Sequence, residues 1–142
     1  MSNVIKLAGN IEEMEEYEPL PDGPYPAELQ DIEIRYSEKQ PSGYLYCKLR
    51  VQPDDFPADY DAGNAPDGLD LIYARVTIPD GANRRAVKPF KDFVRALGGD
   101  PAGTDFDFDS FVGSRVSILV KRQEYQGSVV NNIETLSALP QV

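Results

Sequence analysis

Residues 43–51 read Gly43-Tyr44-Leu45-Tyr46-Cys47-Lys48-Leu49-Arg50-Val51, and apolar and polar side chains alternate along this stretch. In an extended strand successive side chains point to opposite faces, so the apolar residues from Leu45 to Val51 share one face. The opposite face carries two tyrosines and then two cations. The pattern predicts a half-buried strand. Its outer face either serves only β-propensity and solubility, or it stacks bases and contacts phosphates.

Two more segments before residue 80 have a strand pattern. Residues 25–36 predict a long first strand whose apolar positions change phase near Gln30-Asp31, as they do at a β-bulge. Residues 69–78 predict a third strand with Tyr73 and Arg75 on its outer face. The inner face of this strand is predicted to hold Ile72, Ala74, Val76 and Ile78. The outer faces of the second and third strands would then both be aromatic and cationic, and acid would be nearly absent from them.

One helix and a hairpin complete the predicted domain. The helix is predicted from about Pro89 to Leu97, because proline suits a first helical turn and two glycines follow the last apolar residue. Residues 115–125 and about 128–136 predict two final strands that are joined by a tight turn at Gln126-Gly127. Five strands with one helix between the third and the fourth are the order of an OB-fold, a small Greek-key barrel in the mainly β class. The alternative is an open β-sandwich with the helix as a lid.

The composition limits the classes of function. The chain has 142 residues, one cysteine and no histidine, which excludes an internal disulfide, His-based catalysis and His-ligated metal sites. In residues 52–68 the oxygen spacing of a calcium loop fails, because position 63 is glycine and no glutamate closes a twelve-residue loop. After the aspartates of 105–109, Ser110 stands where such a loop needs glycine and Val116 where it needs glutamate. No enzyme activity, metal or cofactor is therefore expected. Because there is no long apolar run, no membrane contact is expected either.

The net charge is −10, but the charges are unevenly distributed. Residues 1–18 are predicted to form an acidic N-terminal arm, and residues 19–142 a single domain with a long acidic loop at 52–68. Residues 71–99, in contrast, hold six bases and two acids. The acidic segments would suit a basic protein partner, whereas the cationic strand faces would suit nucleic acid.

Three groups of short motifs resemble a known family. The chain enters its first strand through Tyr17-Glu18-Pro19-Leu20-Pro21-Asp22-Gly23-Pro24-Tyr25-Pro26-Ala27-Glu28, and its helix reads Phe90-Lys91-Asp92-Phe93-Val94-Arg95-Ala96-Leu97-Gly98. Its last part contains Phe111-Val112-Gly113-Ser114-Arg115-Val116, Glu124-Tyr125-Gln126-Gly127 and Asn131-Asn132-Ile133. These pieces, spread over about residues 17–137, resemble a phage-encoded family of small single-stranded-DNA-binding proteins with OB-folds.

The resemblance implies a protein of phage replication or recombination that acts in the cytoplasm of the host cell. The sequence departs from the family in its longer, more acidic loop at 52–68. It also lacks the acidic C-terminal tail that is common in such proteins as a hook for partners. The acidic N-terminal arm is expected to recruit replication or recombination proteins instead. A homo-oligomer is also compatible with the sequence.

The predicted binding face combines base stacking with phosphate contacts. The predicted stacking platforms are Tyr44, Tyr46 and Tyr73, and the predicted phosphate contacts are Lys48, Arg50 and Arg75. Neighbouring segments are predicted to extend this track through Arg84, Arg85, Lys121, Arg122 and Tyr125. The first hypothesis is binding of single-stranded DNA without sequence specificity. The alternative is an acidic OB-fold module that binds a host or phage protein.

Overall fold

A computed structural model of the chain describes residues 3–10, 19–102 and 106–139. All acidic residues of the predicted N-terminal arm fall on residues 11–18, which lie outside this part. In residues 3–10 every side chain is exposed, including the apolar ones of Val4, Ile5 and Leu7.

Within the described residues the fold has five strands and one α-helix, and the mainly β class is confirmed. In chain order the elements are β1 (Gly23–Arg35), β2 (Tyr44–Val51), β3 (Leu69–Thr77), α1 (Val87–Ala96), β4 (Arg115–Tyr125) and β5 (Ser128–Ala138). The strands form one sheet in the order β3-β2-β1-β4-β5, and all neighbours are antiparallel. The predicted position of the helix, between the third and fourth strands, is also confirmed.

The central strand β1 serves both halves of the sheet because it bends at a β-bulge. Its first part pairs with β4 and its second part with β2. The register with β2 shifts between Leu29 and Asp31, and the apolar residues on either side, Leu29 and Ile32, are both buried. One extra residue therefore lets both parts of the strand direct apolar side chains to the same core. The phase change predicted near Gln30-Asp31 is confirmed.

The core lies between the inner face of the sheet and α1. The inward residues of β2 are completely buried: Leu45, Cys47, Leu49 and Val51. The alternation predicted for this strand is therefore confirmed. The helix covers this layer with Phe90, Phe93 and Val94, which recur on one helical face. Burial raises the pKa of the Cys47 thiol to about 12, so this thiol stays protonated at neutral pH.

The last hairpin matches its prediction. The strands β4 and β5 pair from Tyr125 and Ser128 outward, and the two connecting residues, Gln126 and Gly127, have φ angles of 51° and 82°. Two consecutive positive φ angles are the signature of a type I′ turn, whose twist matches that of the flanking strands.

Candidate nucleic-acid interface

The outer face of β2 presents four of the predicted site residues in one row. Tyr44, Tyr46 and Arg50 are partly exposed, and Lys48 is exposed. Because alternate residues of a strand lie about 6–7 Å apart, the two tyrosine rings are close neighbours on this face. Hydrogen bonds to β1 on one side and to β3 on the other fix the backbone of β2, which carries this row of side chains.

One face of the Tyr46 ring is covered by Arg35, a cation absent from the predicted site. The guanidinium carbon of Arg35 lies 3.5 Å from the centroid of the Tyr46 ring, which is a cation–π contact. The Nε of Arg35 also donates a hydrogen bond to Glu33, and this bond raises the pKa of the guanidinium above its usual value. A strand-by-strand interpretation misses Arg35. Only the antiparallel pairing of β1 with β2, which sets Arg35 opposite Tyr44, indicates that Arg35 belongs to this face.

Arg50 is not a free cation, because it forms a bidentate salt bridge with Asp70 of β3. The Nε of Arg50 lies 2.8 Å from one carboxylate oxygen of Asp70, and Nη2 lies 3.2 Å from the other. This hydrogen bonding raises the pKa of Arg50. Because Nε and Nη2 already donate to Asp70, Arg50 has fewer donors for a phosphate than the sequence pattern predicts.

The β2 face has a mixed charge, because β1 contributes carboxylates to it. The register sets Glu33 opposite Tyr46, Asp31 opposite Lys48 and Glu28 opposite Arg50. Asp70 is on the other side of Arg50. The expectation that acid is nearly absent from the outer face of β3 is therefore wrong at Asp70, and acid is also close to β2 through β1.

The predicted outward position of Tyr73 is wrong. Its ring packs against the buried core and stacks on Phe93 of α1, with 6.3 Å between ring centroids. Burial raises the pKa of the Tyr73 hydroxyl above its usual value. Tyr73 therefore supports the contact between sheet and helix and is not a stacking platform beside Tyr44 and Tyr46.

The cause is a second irregularity, in the pairing of β2 with β3. The register shifts between Leu45 and Cys47 of β2, so β3 contains an extra residue at this point. The extra residue reverses the alternation of the preceding part of β3: Leu71 is buried, and Ile72, predicted to face inward, is 40% exposed. Both phases of this segment contain apolar residues, so the sequence pattern does not reveal the reversal.

Arg122 holds the entry segment of the chain to β4. Its Nε and Nη2 donate to the backbone oxygens of Leu20 and Pro19, at 3.1 and 2.9 Å, and its backbone N–H donates to the Asp22 carboxylate at 2.6 Å. The side-chain amide of Asn131 donates to the same Leu20 oxygen at 2.9 Å. Because its donors are used within the chain, Arg122 is a structural residue and not part of the proposed face.

Replacing Arg122 with alanine is expected to lower the free energy of unfolding by about 1–2 kcal/mol, because the Pro19 and Leu20 oxygens lose charged donors. Lys121→Ala, at the exposed neighbouring position, is the matched control and should change it by less than about 0.5 kcal/mol. Urea unfolding measures both. Equal values for the two variants would contradict the structural role of Arg122.

Four of the remaining predicted residues are exposed but lie away from the β2 face. Arg84 and Arg85 form a short 3₁₀ turn that leads into α1. Lys121 and Tyr125 are on β4, which β1 separates from β2 in the sheet. Arg75, near the irregularity of β3, is exposed as predicted. Of the predicted set, Tyr44, Tyr46, Lys48 and Arg50 therefore share the outer face of β2. Arg75, next to the inward Val76, is exposed on the neighbouring strand β3.

The acidic loop at 52–68 is folded against the domain. Tyr60 and Ala65 are buried, and Phe56 contacts the Tyr60 ring edge-on, with 5.0 Å between centroids. Asp55 lies 3.4 Å from Arg115 at the start of β4. This ion pair ties the loop to the β4 side of the sheet.

Among the described residues no group of three or more histidine, cysteine, aspartate or glutamate side chains is arranged to hold a metal ion. In the same part of the chain no helix is long and apolar enough to cross a membrane.

No protein-family model matches the chain, and no curated protein matches it either.

Proposed function

We propose that the chain is an OB-fold protein that binds single-stranded DNA on the outer face of β2. The OB-fold is supported by the strand order, by the bulged β1 that pairs with both β2 and β4, and by the helix between β3 and β4. The two edge strands, β3 and β5, line a common cleft of about 490 Å³ between Asp70–Arg75 and Asn131–Ile133.

The observation that carries the proposal is the pair of partly exposed tyrosines in the middle of a paired strand, with Arg35 stacked on one of them. Aromatic rings and guanidinium planes are surfaces on which bases of any identity stack. The neighbouring Lys48 is exposed and adds a cation for the backbone. Binding on such a face would tolerate any base sequence.

The charge of the β2 face determines how much of the expected DNA affinity comes from phosphate contacts and how much from base stacking. Arg50 is paired with Asp70, Arg35 with Glu33, and Arg122 is used elsewhere. Few cations are left to displace counterions from DNA, so stacking is expected to supply most of the affinity. The expected electrostatic contribution is therefore smaller than the one that the cationic sequence pattern predicts.

A fluorescent oligo-dT titration over a range of salt concentrations tests the proposal. The expected dissociation constant is micromolar or lower at low salt. The logarithm of affinity should fall with the logarithm of salt with a slope of magnitude about 2 or less, as two or three phosphate contacts to a single strand would give. Duplex DNA of the same length should bind more weakly because its bases are stacked. Absence of binding at low salt would contradict the proposal.

The resemblance of residues 17–137 to phage single-stranded-DNA-binding proteins supports a role in phage replication or recombination in the host cell. The sheet order and the hairpin turn at Gln126-Gly127 are compatible with that resemblance. A partner protein of the same process would bind the acidic arm.

A second candidate function is binding of a basic protein. It is favoured by the acidic segment 12–18 and by the exposed apolar residues that precede it in the chain, Val4, Ile5 and Leu7, at 78%, 82% and 53% exposure. A chain without residues 1–18 separates the candidates. If the arm recruits a protein, its removal should abolish co-purification of that partner and leave oligo-dT affinity unchanged. If the arm competes with DNA, its removal should increase that affinity.

A further inference from the structure

We propose that Arg35 is the outermost stacking layer of the β2 face, so that a base lies on the Arg35 guanidinium and the Tyr46 ring supports the guanidinium from beneath. The inference rests on the proposed function and gives it a recognition residue outside the set predicted from sequence. It also specifies the ligand chemistry: a planar nucleobase and not the phosphate alone.

At 3.5 Å from the ring centroid, the guanidinium is in van der Waals contact with the Tyr46 ring. A base could reach that side of the ring only by displacing Arg35. Displacement would cost the cation–π contact as well as the hydrogen bond to Glu33. Stacking on the guanidinium keeps both.

The side chains of Arg35 and Glu33 are 46% and 48% exposed, so the pair stands at the surface of the sheet. Glu33 holds Arg35 through Nε, the inner nitrogen of the guanidinium, and leaves Nη1 and Nη2 free of that bond. A guanidinium fixed in this way is a flat, cationic surface with donors along its edge, which suits a base above it and a phosphate beside it.

Arginine and lysine differ in their ability to stack on a base. Lysine keeps the positive charge but has a compact ammonium group without a plane, so it cannot provide a stacking layer. A phosphate contact tolerates this exchange, whereas a stacked base does not. Arg35→Lys therefore separates the two roles with little change of net charge.

The experiment compares the wild-type protein with Arg35→Lys on two oligonucleotides of equal length, oligo-dT and a chain of abasic residues with the same phosphates. We expect Arg35→Lys to weaken binding of oligo-dT about fivefold or more, which corresponds to the lower end of one lost stacked base. Binding of the abasic chain should change less than about twofold. The matched control is Arg95→Lys, the same exchange at an exposed arginine of α1, which lies outside the β2 face and for which no ring contact is found among the described residues. It should leave both affinities within about twofold.

Three outcomes would overturn the role of Arg35. Unchanged or tighter oligo-dT binding by Arg35→Lys would mean that the guanidinium is not a layer or that it blocks the ring. Equal losses on both oligonucleotides would make Arg35 a phosphate contact. An equal loss in Arg95→Lys would make the effect general to arginine. Wild-type protein that binds neither oligonucleotide contradicts the proposed function itself, which is a distinct result.

A second measurement tests the support from Tyr46 without DNA. The ring current of Tyr46 should shift the NMR resonances of the Arg35 side chain upfield in the free protein. Tyr46→Leu should remove this shift, whereas Tyr125→Leu should not. Side-chain resonances of Arg35 at ordinary positions in the wild-type protein would contradict the stacked arrangement.

Discussion

Replacing Leu49 with alanine is expected to lower the free energy of unfolding by about 2–5 kcal/mol, whereas Lys48→Ala should change it by less than about 0.5 kcal/mol. Leu49 has no exposed surface and lies between Leu29 of β1 and Leu71 of β3, which are also buried. Truncation leaves a cavity that three paired strands cannot close by moving together. Lys48, one residue away, points to solvent.

Urea unfolding of the two variants measures the difference. The comparison tests the alternation of β2 directly, because the two residues are adjacent in the chain and differ only in the face they occupy. Similar losses in both variants, or a larger loss in Lys48→Ala, would show that the faces of β2 are assigned incorrectly. The proposed interface would then fail with that assignment.

The double replacement Tyr44→Ala and Tyr46→Ala is expected to weaken oligo-dT binding about 30-fold or more, the lower end for two lost stacked bases. Stacking contributes roughly 1–3 kcal/mol per base, and removing Tyr46 also removes the support of Arg35. The slope of affinity against salt should stay nearly unchanged, since no phosphate contact is deleted. Fluorescence anisotropy with labelled oligo-dT measures both quantities.

Tyr125→Ala is the matched control for this variant. Tyr125 is 63% exposed and belongs to β4, away from the row on β2. Its replacement should change affinity less than about twofold. If Tyr125→Ala weakens binding as much as the double variant does, the binding surface includes the β4–β5 hairpin, as the longer track predicted from sequence would have it.

The parts of the fold that the sequence predicts well are those where one pattern has only one interpretation. In β2 the apolar residues occupy one phase and the polar residues the other, so both faces follow. In β1 the apolar positions change phase visibly, which indicates the bulge. The turn at Gln126-Gly127 has turn-forming residues between two strand patterns.

Where the residues of a strand suit either face, the sequence does not predict which side chains are buried. Residues 71–74 read Leu71-Ile72-Tyr73-Ala74, so either phase can face the core. In the structure Leu71 is buried, and the same phase directs Tyr73 inward, where its ring packs on Phe93 of α1. The helix begins at Val87, two residues before the predicted start, because the 3₁₀ turn at Arg84–Ala86 leads directly into it. Pro89 still lies in the first helical turn, where its missing N–H costs nothing.

The charge of the site could not be predicted one strand at a time. The cations of β2 stand out in its sequence, but the nearby carboxylates belong to other strands. Asp70 of β3 pairs with Arg50, and Asp31 of β1 lies opposite Lys48 in the register. Arg35 reaches Tyr46 by the same cross-strand route. Strand register, which brings distant residues together, determines whether a cation is free, paired or stacked.

The most direct test of the proposed interface is a titration of isotope-labelled protein with oligo-dT, followed by two-dimensional NMR of backbone and arginine side-chain resonances. Binding on the outer face of β2 predicts the largest shift changes at Tyr44, Tyr46 and Lys48, with the Arg35 side chain changing along with them. Loop 52–68 should be unaffected. The largest changes in that loop or in the β4–β5 hairpin, or no changes at saturating oligo-dT, would contradict the assignment of this face.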